Sequence, residues 1–178
     1  MNKNILAGVV LATLAISANA QGSLAFSSAS GTKPRITVDG VNAGTGIKVE
    51  LLVAGATGLT YSSSGAAVEA FNLKLTGANA GLFSQGVVLA GGVAPDATKA
   101  VTIRAWDTAS GDSFASATTK ASTTFDYKFG GAGEPPGLPG SIVGANLFNG
   151  LALTSVPEPS TYALAALGLG GLMFLRRK

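Results

Sequence analysis

The sequence predicts an all-β fold, an antiparallel β-sandwich of Greek-key or jelly-roll type, between two terminal segments of different character. Three observations predict it. Apolar and polar residues alternate in several short segments, glycine-rich turns separate these segments, and no stretch from residue 21 to residue 156 carries a sustained helical stripe. A small closed barrel is the alternative architecture.

Five segments alternate with a period of two, which is the pattern of a strand with one buried face. Turn residues such as Asp39-Gly40 and Ser110-Gly111-Asp112 separate them. We therefore expect one domain over residues 21–153, with roughly seven to nine strands. The apolar positions are Ile36 and Val38; Ile47, Val49, Leu51 and Val53; Phe71, Leu73 and Leu75; Val101, Ile103 and Ala105; and Phe125, Tyr127 and Phe129.

The segment 130–140 has a different composition from the predicted strands. It contains Pro135, Pro136 and Pro139 among glycines, and proline cannot donate to a strand ladder. We expect an extended loop that does not pair in a sheet. The apolar residues between Ile142 and Leu153 are sufficient for a last strand after it.

Composition excludes several classes of chemistry. The chain has no cysteine and no histidine, so disulfides, thiolate nucleophiles, imidazole zinc ligands and histidine-based triads are excluded. Between residues 21 and 156, eight Lys and Arg residues balance eight Asp and Glu residues, and the net charge of +3 comes from the two termini. The middle of the chain therefore has no electrostatic reason to bind nucleic acid.

The N-terminus has the pattern of a secretory signal peptide over residues 1–20. Lys3 precedes an apolar run from Ile5 to Ile16, which is too short to span a membrane stably. Ala18 and Ala20 then supply the small-x-small pattern that signal peptidase recognises. We expect cleavage after Ala20, and a buried N-terminal helix is the alternative.

The C-terminal segment, residues 154–178, has three parts. Residues 156–161 read Val-Pro-Glu-Pro-Ser-Thr, and the two prolines favour an extended, exposed conformation. Residues 162–175 carry no charge and predict a single transmembrane helix, which at about 21 Å is short for a hydrocarbon layer of about 30 Å. The basic end, Arg176, Arg177 and Lys178, should stay cytoplasmic and so orient residues 21–153 to the far side of the membrane.

This order of motif, short apolar helix and basic end resembles the PEP-CTERM sorting tail of exported proteins in diderm bacteria that make exopolysaccharide. The resemblance implies recognition of Pro157, Glu158 and Pro159 by an exosortase, an integral-membrane transpeptidase that cleaves near this motif. It also implies transient anchoring in the inner membrane, followed by the cell surface or extracellular matrix. The alternative is an uncleaved tail anchor with an incidental Pro-Glu-Pro.

Two groups of residues in the middle of the chain are candidates for binding. Asp107 and Asp112 flank a turn and can offer oxygens to calcium, but the further carboxylates of a calcium loop are missing, so a solvated turn is favoured. Trp106, Tyr61 and Tyr127 can be imagined as a sugar-stacking platform, although core packing is the favoured use of most aromatic residues here.

Acid pairs for glycoside hydrolysis, such as Glu50 with Glu69 or Asp96 with Asp107, are not distinguished by any spacing. We therefore predict a non-enzymatic surface or matrix protein without cofactor or metal. Its expected partners are signal peptidase, an exosortase-type protease and the membrane, with exopolysaccharide as a further candidate. The alternatives are a carbohydrate-binding module of the exopolysaccharide matrix and a secreted hydrolase.

Overall fold

The computed structural model describes residues 21–29, 33–131, 139–144 and 146–155. These ranges form ten strands and one short 3₁₀ helix, Gly77–Asn79, so the all-β prediction is confirmed. Within the described ranges, no helix has the length and apolar character needed to cross a membrane. The predicted signal peptide and the predicted helix 162–175 lie outside the described residues.

The strands are β1 (Gly22–Ser27), β2 (Ile36–Val38), β3 (Val41–Asn42), β4 (Ile47–Val53), β5 (Gly58–Tyr61), β6 (Phe71–Asn72), β7 (Ser84–Gly91), β8 (Thr98–Asp107), β9 (Thr119–Lys128) and β10 (Leu151–Ser155).

Seven strands form one sheet in the order β3-β2-β10-β9-β8-β4-β6. Its centre is the antiparallel set β4, β8 and β9, in which Glu50 lies opposite Arg104 and Arg104 opposite Ser122. The predicted alternation is confirmed here, because Ile47, Val49 and Leu51 of β4 and Val101, Ile103 and Ala105 of β8 are buried while the residues between them are not. A wholly antiparallel arrangement was the wrong prediction, since β10 runs parallel to β2.

Three strands form a second sheet in the order β1-β7-β5. None of them is among the five predicted segments, because serine and glycine interrupt their apolar residues. The β1–β7 register shifts between Ala25 and Ser27, and Gly86, at φ 83°, lies on the opposite strand at this irregularity. A positive φ is a conformation that glycine adopts readily, so this residue accommodates the bulge.

One apolar core draws on both sheets. Leu24 and Phe26 of β1 are fully buried with Val49, Ile103 and Leu153 of the larger sheet. The side chains of Phe26 and Phe83 pack with ring centroids 4.9 Å apart. Burial of this kind stabilises the fold by roughly 1.5–3 kcal/mol for each large side chain.

Two sequence predictions about local structure need correction. The third predicted strand ends at Asn72, since Leu73 is buried but leaves the ladder after donating its amide to the Ile47 carbonyl. The segment 130–140 does pair at its start, because Gly130 precedes the prolines and exchanges two backbone hydrogen bonds with Ser23 of β1. Residues 132–138 of that segment lie outside the described ranges.

Candidate functional site

The last described strand, β10, lies inside the larger sheet and not at its edge. It pairs with β2 on one side and with β9 on the other. Leu153 is fully buried, whereas Thr154 and Ser155 are exposed. The chain therefore leaves the described fold from an interior strand, at Ser155.

A tight turn between β2 and β3 contacts the end of β10. Asp39 and Gly40 form a two-residue connection between the paired residues Val38 and Val41, with φ angles of 48° and 81°. Positive φ at both central residues is the requirement of a type I′ hairpin turn, for which Asp-Gly is a preferred sequence. The turn prediction for Asp39-Gly40 is thus confirmed.

Three hydrogen bonds join this turn to β10. The Asp39 amide donates to the Leu153 carbonyl at 3.0 Å. The Ser155 amide donates to Asp39 Oδ1 and the Ser155 hydroxyl donates to Asp39 Oδ2, both at 3.2 Å. We call the two carboxylate contacts the Asp39 clamp. The clamp holds the last residue of β10 against the adjacent hairpin.

The Asp39 clamp defines one end of the seven-stranded sheet, which we call the tail end. Ser155 there lies opposite Thr119, the first residue of β9. The opposite end, at Lys128 and Thr98, is called the far end. Nine residue steps along β9 separate the two ends, about 30 Å at the usual rise of a strand.

The predicted sorting residues follow the clamp directly in sequence. Pro157, Glu158 and Pro159 begin two residues after Ser155 and lie outside the described ranges. Outside them as well are the signal-peptidase residues and the basic end: Ala18, Ala20, Arg176, Arg177 and Lys178.

The three aromatic residues considered for sugar stacking lie apart. Trp106 is on the outer face of β8, Tyr127 points into the core from β9, and Tyr61 belongs to the smaller sheet. Trp106 is only 4% exposed because Phe114, in the loop between β8 and β9, covers it with ring centroids 6.2 Å apart. These three side chains therefore do not form one exposed stacking surface.

Charged residues hold Phe114 in place over Trp106. The Arg104 guanidinium lies 4.9 Å from the Phe114 ring centroid and donates two bonds, of 2.6 and 3.0 Å, to Glu50 Oε2. Lys120 Nζ donates to the carbonyls of Phe114 and Ala115 at 2.9 Å each. Arg104 and Lys120 are thus both engaged within the molecule. This cluster could not be predicted from the sequence, because alternation alone does not give the register that places Glu50 beside Arg104.

Tyr127 has a structural contact at the far end. Its hydroxyl donates to the Gly140 carbonyl at 2.6 Å, and this carbonyl also accepts from the Ala25 amide at 3.2 Å. Burial raises the pKa of Tyr127 to about 12, because the phenolate is poorly solvated in the core. The side chain links β9 to the end of the 130–140 segment.

The candidate calcium turn is closed by its own hydrogen bonds. Asp107 Oδ1 accepts from the Ala109 amide at 2.9 Å, and the Ser110 hydroxyl donates to the Asp107 carbonyl at 2.8 Å. This is the local turn that the sequence analysis favoured. Among the described residues, no three or more acidic side chains gather in a group that could hold a metal ion.

The acid pairs considered for glycoside hydrolysis do not form pairs of free carboxylates. Asp96 precedes β8 and Asp107 ends it, so this ten-residue strand separates them by far more than the roughly 5–9.5 Å that glycoside hydrolysis requires. Asp96 contacts Lys128 at 3.3 Å, and Glu50 is paired with Arg104.

Comparison with known proteins identifies the C-terminal segment. Residues 155–178 match the model of the PEP-CTERM protein-sorting motif, so the match begins at the residue that the Asp39 clamp holds. The motif implies export, transient membrane anchoring and an exosortase-type processing partner. Neither the curated proteins nor the solved structures include a match to this chain. The chain thus carries a PEP-CTERM sorting motif on an all-β domain, consistent with an exosortase substrate.

Proposed function

We propose that this chain is a non-enzymatic surface or extracellular-matrix protein, a β-sandwich delivered to its destination by exosortase processing. In this proposal the signal peptide 1–20 starts export and the helix 162–175 anchors the chain until cleavage near Pro157, Glu158 and Pro159. The basic end, residues 176–178, keeps the anchor oriented. The single observation that carries the proposal is the sorting-motif match over residues 155–178, which starts at Ser155 of β10, an interior strand of the larger sheet.

Because the motif match begins at the last described residue of β10, cleavage within the motif can remove the tail and leave the described domain whole. Cleavage within residues 156–161 leaves every residue of β10 in the product, including the buried Leu151 and Leu153. Since β10 lies between β2 and β9, cleavage before it would remove an interior strand of the larger sheet. The position of the motif therefore suits removal of the tail from an intact domain.

The length of the tether also supports the proposal. Six residues, 156–161, connect Ser155 to the proposed helix, and an extended chain of that length spans at most about 20 Å. The tail end of the sheet therefore stays close to the membrane before cleavage. A membrane-embedded protease reaches the motif there without the domain being unfolded.

The test uses the full-length chain in a diderm host that has an exosortase. Glu158→Ala removes the charged residue of the motif, and Glu69→Ala, an exposed position in the described domain, is the matched control. We expect wild type and Glu69→Ala to leave the membrane fraction, and Glu158→Ala to remain in it with its tail. Equal release of Glu158→Ala and wild type would contradict the proposal.

Carbohydrate binding in the matrix is the second hypothesis. Of the three aromatic residues considered for it, Trp106 and Tyr127 are buried and Tyr61 belongs to the smaller sheet, so no observation raises it above the first. A glycan array probed with the released product tests it directly, and binding that survives substitution of Trp106 would place such a site elsewhere on the domain.

A further inference from the structure

Trp106 has an unusual environment for a residue on the outer face of a sheet. Its side chain is only 4% exposed, because Phe114 from the loop 108–118 lies over it. Yet its indole Nε1 is a buried donor that has no acceptor among the described residues. Buried tryptophan N–H groups usually find a partner, and an unpaired one keeps its full cost of desolvation. The loop therefore covers the indole without satisfying its polar atom.

Cationic side chains flank Trp106 on the same face of the sheet. Lys48 of β4 and Lys120 of β9 lie directly opposite Trp106 on the two neighbouring strands. Arg104 precedes Trp106 by two residues of β8, so it shares this face. Glu50 pairs with Arg104, so three cations less one carboxylate leave two positive charges beside the indole. We call these five residues the Trp106 patch.

Two acids follow Trp106 in sequence, and neither belongs to the sheet face beside it. Strand alternation places Asp107 on the opposite side of β8, and its carboxylate accepts from the Ala109 amide. Asp112 is exposed and is part of the loop 108–118. The positive charge therefore belongs to the sheet, whereas the exposed acid belongs to the loop above it.

The loop contacts the Trp106 patch in the way that a ligand would. The Phe114 ring packs against the indole and lies 4.9 Å from the Arg104 guanidinium and 5.3 Å from Lys120 Nζ. The carbonyl oxygens of Phe114 and Ala115 both accept from Lys120 at 2.9 Å. One ring and two oxygens thus occupy the patch, while Trp106 Nε1 stays without an acceptor.

The middle of this loop is a surface layer. Four of its residues are exposed and Phe114 is half-buried; the exposed ones are Asp112, Ser113, Ala115 and Ser116. Neither Phe114 nor Trp106 belongs to the apolar core that the two sheets share. Movement of residues 112–116 therefore uncovers the indole and frees Lys120 without opening that core.

We propose that the Trp106 patch is a covered binding site for an acidic saccharide, which displaces residues 112–116. A sugar ring takes the place of Phe114 against the indole, and its carboxylate takes the place of the two carbonyl oxygens at Lys120, with Lys48 on the other side. A hydroxyl or ring oxygen accepts from Trp106 Nε1. The ligand thus replaces the contacts of the loop and adds the one hydrogen bond that the loop does not make. This site goes beyond the sorting role and does not depend on exosortase processing.

The test measures binding to the full chain, purified in detergent, by isothermal titration calorimetry. The probe is an alginate hexasaccharide, a uronate oligomer; maltohexaose is the neutral comparison and a single-stranded oligonucleotide is the anion without a uronate. We expect binding of the alginate oligomer, weakened by added salt because salt screens charge pairs, and no comparable binding of the other two. Equal affinity for maltohexaose or for the oligonucleotide would overturn the assignment to acidic saccharides.

Substitutions locate the binding at the patch. Phe114→Ala removes the covering ring and should tighten alginate binding about tenfold, because the binding-competent state becomes more populated. Trp106→Phe keeps an aromatic ring but removes the N–H, and should weaken binding about tenfold. Lys48→Gln should weaken it several-fold, whereas Lys128→Gln, an exposed lysine at the far end, should leave it unchanged.

The direction of the Phe114→Ala effect distinguishes a displaceable cover from ordinary packing. If Phe114 only stabilises the domain, its removal leaves binding unchanged or weakens it, and either result would overturn the proposal. Absence of alginate binding in both wild type and Phe114→Ala would overturn it as well. Should Trp106→Phe not accumulate, equal affinities of Lys48→Gln and Lys128→Gln would show that the saccharide does not bind beside Trp106.

Discussion

The two ends of the seven-stranded sheet are held by different forces. At the far end, Phe129 is fully buried and approaches Gly22 so closely that a Cβ there would lie 2.8 Å from the Phe129 Cβ. Gly130 and Ser23 exchange backbone hydrogen bonds beside this contact. At the tail end, the outermost contacts are the exposed hydrogen bonds between Asp39 and Ser155.

The two ends of the sheet therefore differ in the kind of contact that has to be broken before they open. The far end joins the two sheets through buried apolar packing, which is lost only when the domain opens. At the tail end the contacts between Asp39 and Ser155 are polar and exposed. The end of the sheet that carries the residue at which the sorting-motif match begins is thus held at its margin by polar contacts.

The largest expected effect tests whether β10 belongs to the core despite its exposed end. Leu153→Ala removes a fully buried side chain and should lower the free energy of unfolding by about 2–5 kcal/mol. Ala152→Ser, at the exposed neighbouring position, should change it by less than about 0.5 kcal/mol. Urea denaturation followed by the emission of Trp106, the single tryptophan, measures both. Similar values for the two variants would show that β10 is not an integral strand.

The next effect tests the buried contact at the far end. Tyr127→Phe removes the hydrogen bond to Gly140 and should lower stability by about 1 kcal/mol at neutral pH. The native pKa of about 12 exceeds the ordinary value of 10.0, so above pH 10 the unfolded state loses this proton first. The stabilising effect is complete below pH 10 and is lost as the pH rises towards 12.

The pH dependence provides the control for that variant. Wild type should lose stability more steeply than Tyr127→Phe between pH 10 and pH 12, because phenylalanine has no proton to release. Parallel stability curves for the two proteins over this interval would argue against burial of the phenol.

The smallest expected effect on stability comes from the same substitution, lysine to methionine, made near each end of β9. Lys120→Met breaks two hydrogen bonds and the cation–π contact with Phe114, and should reduce stability by about 0.5–1 kcal/mol. Lys128→Met breaks an ion pair whose side chains are 68% and 64% exposed, and should cost less than about 0.5 kcal/mol. Only Lys120→Met should increase acrylamide quenching of Trp106, and equal quenching would show that the loop cover does not depend on Lys120.

Alternation predicted the centre of the larger sheet because each strand there has one buried and one solvated face. It placed Val49, Ile103 and Phe125 correctly in the core. It failed for β1 and β7, where small residues obscure the period, and for the parallel pairing of β10, which depends on a strand far away in sequence.

The candidate site likewise has one part that local sequence predicts and one part that it does not predict. The motif around Pro157, Glu158 and Pro159 was identified from local sequence, and the family comparison confirms it. The clamp was not predictable, since Asp39 has the local signature of a hairpin turn and nothing in its neighbourhood indicates Ser155 as its partner. Trp106 shows the same limit, because its alternation places it on the outer face while its cover comes from a loop residue, Phe114.

Intact mass of the product made by the native host decides whether the chain is an exosortase substrate. We expect a chain that begins at Gln21 and ends within residues 156–161, with all of β10 retained. A product that still carries residues 176–178, or one that ends before Ser155, would contradict it.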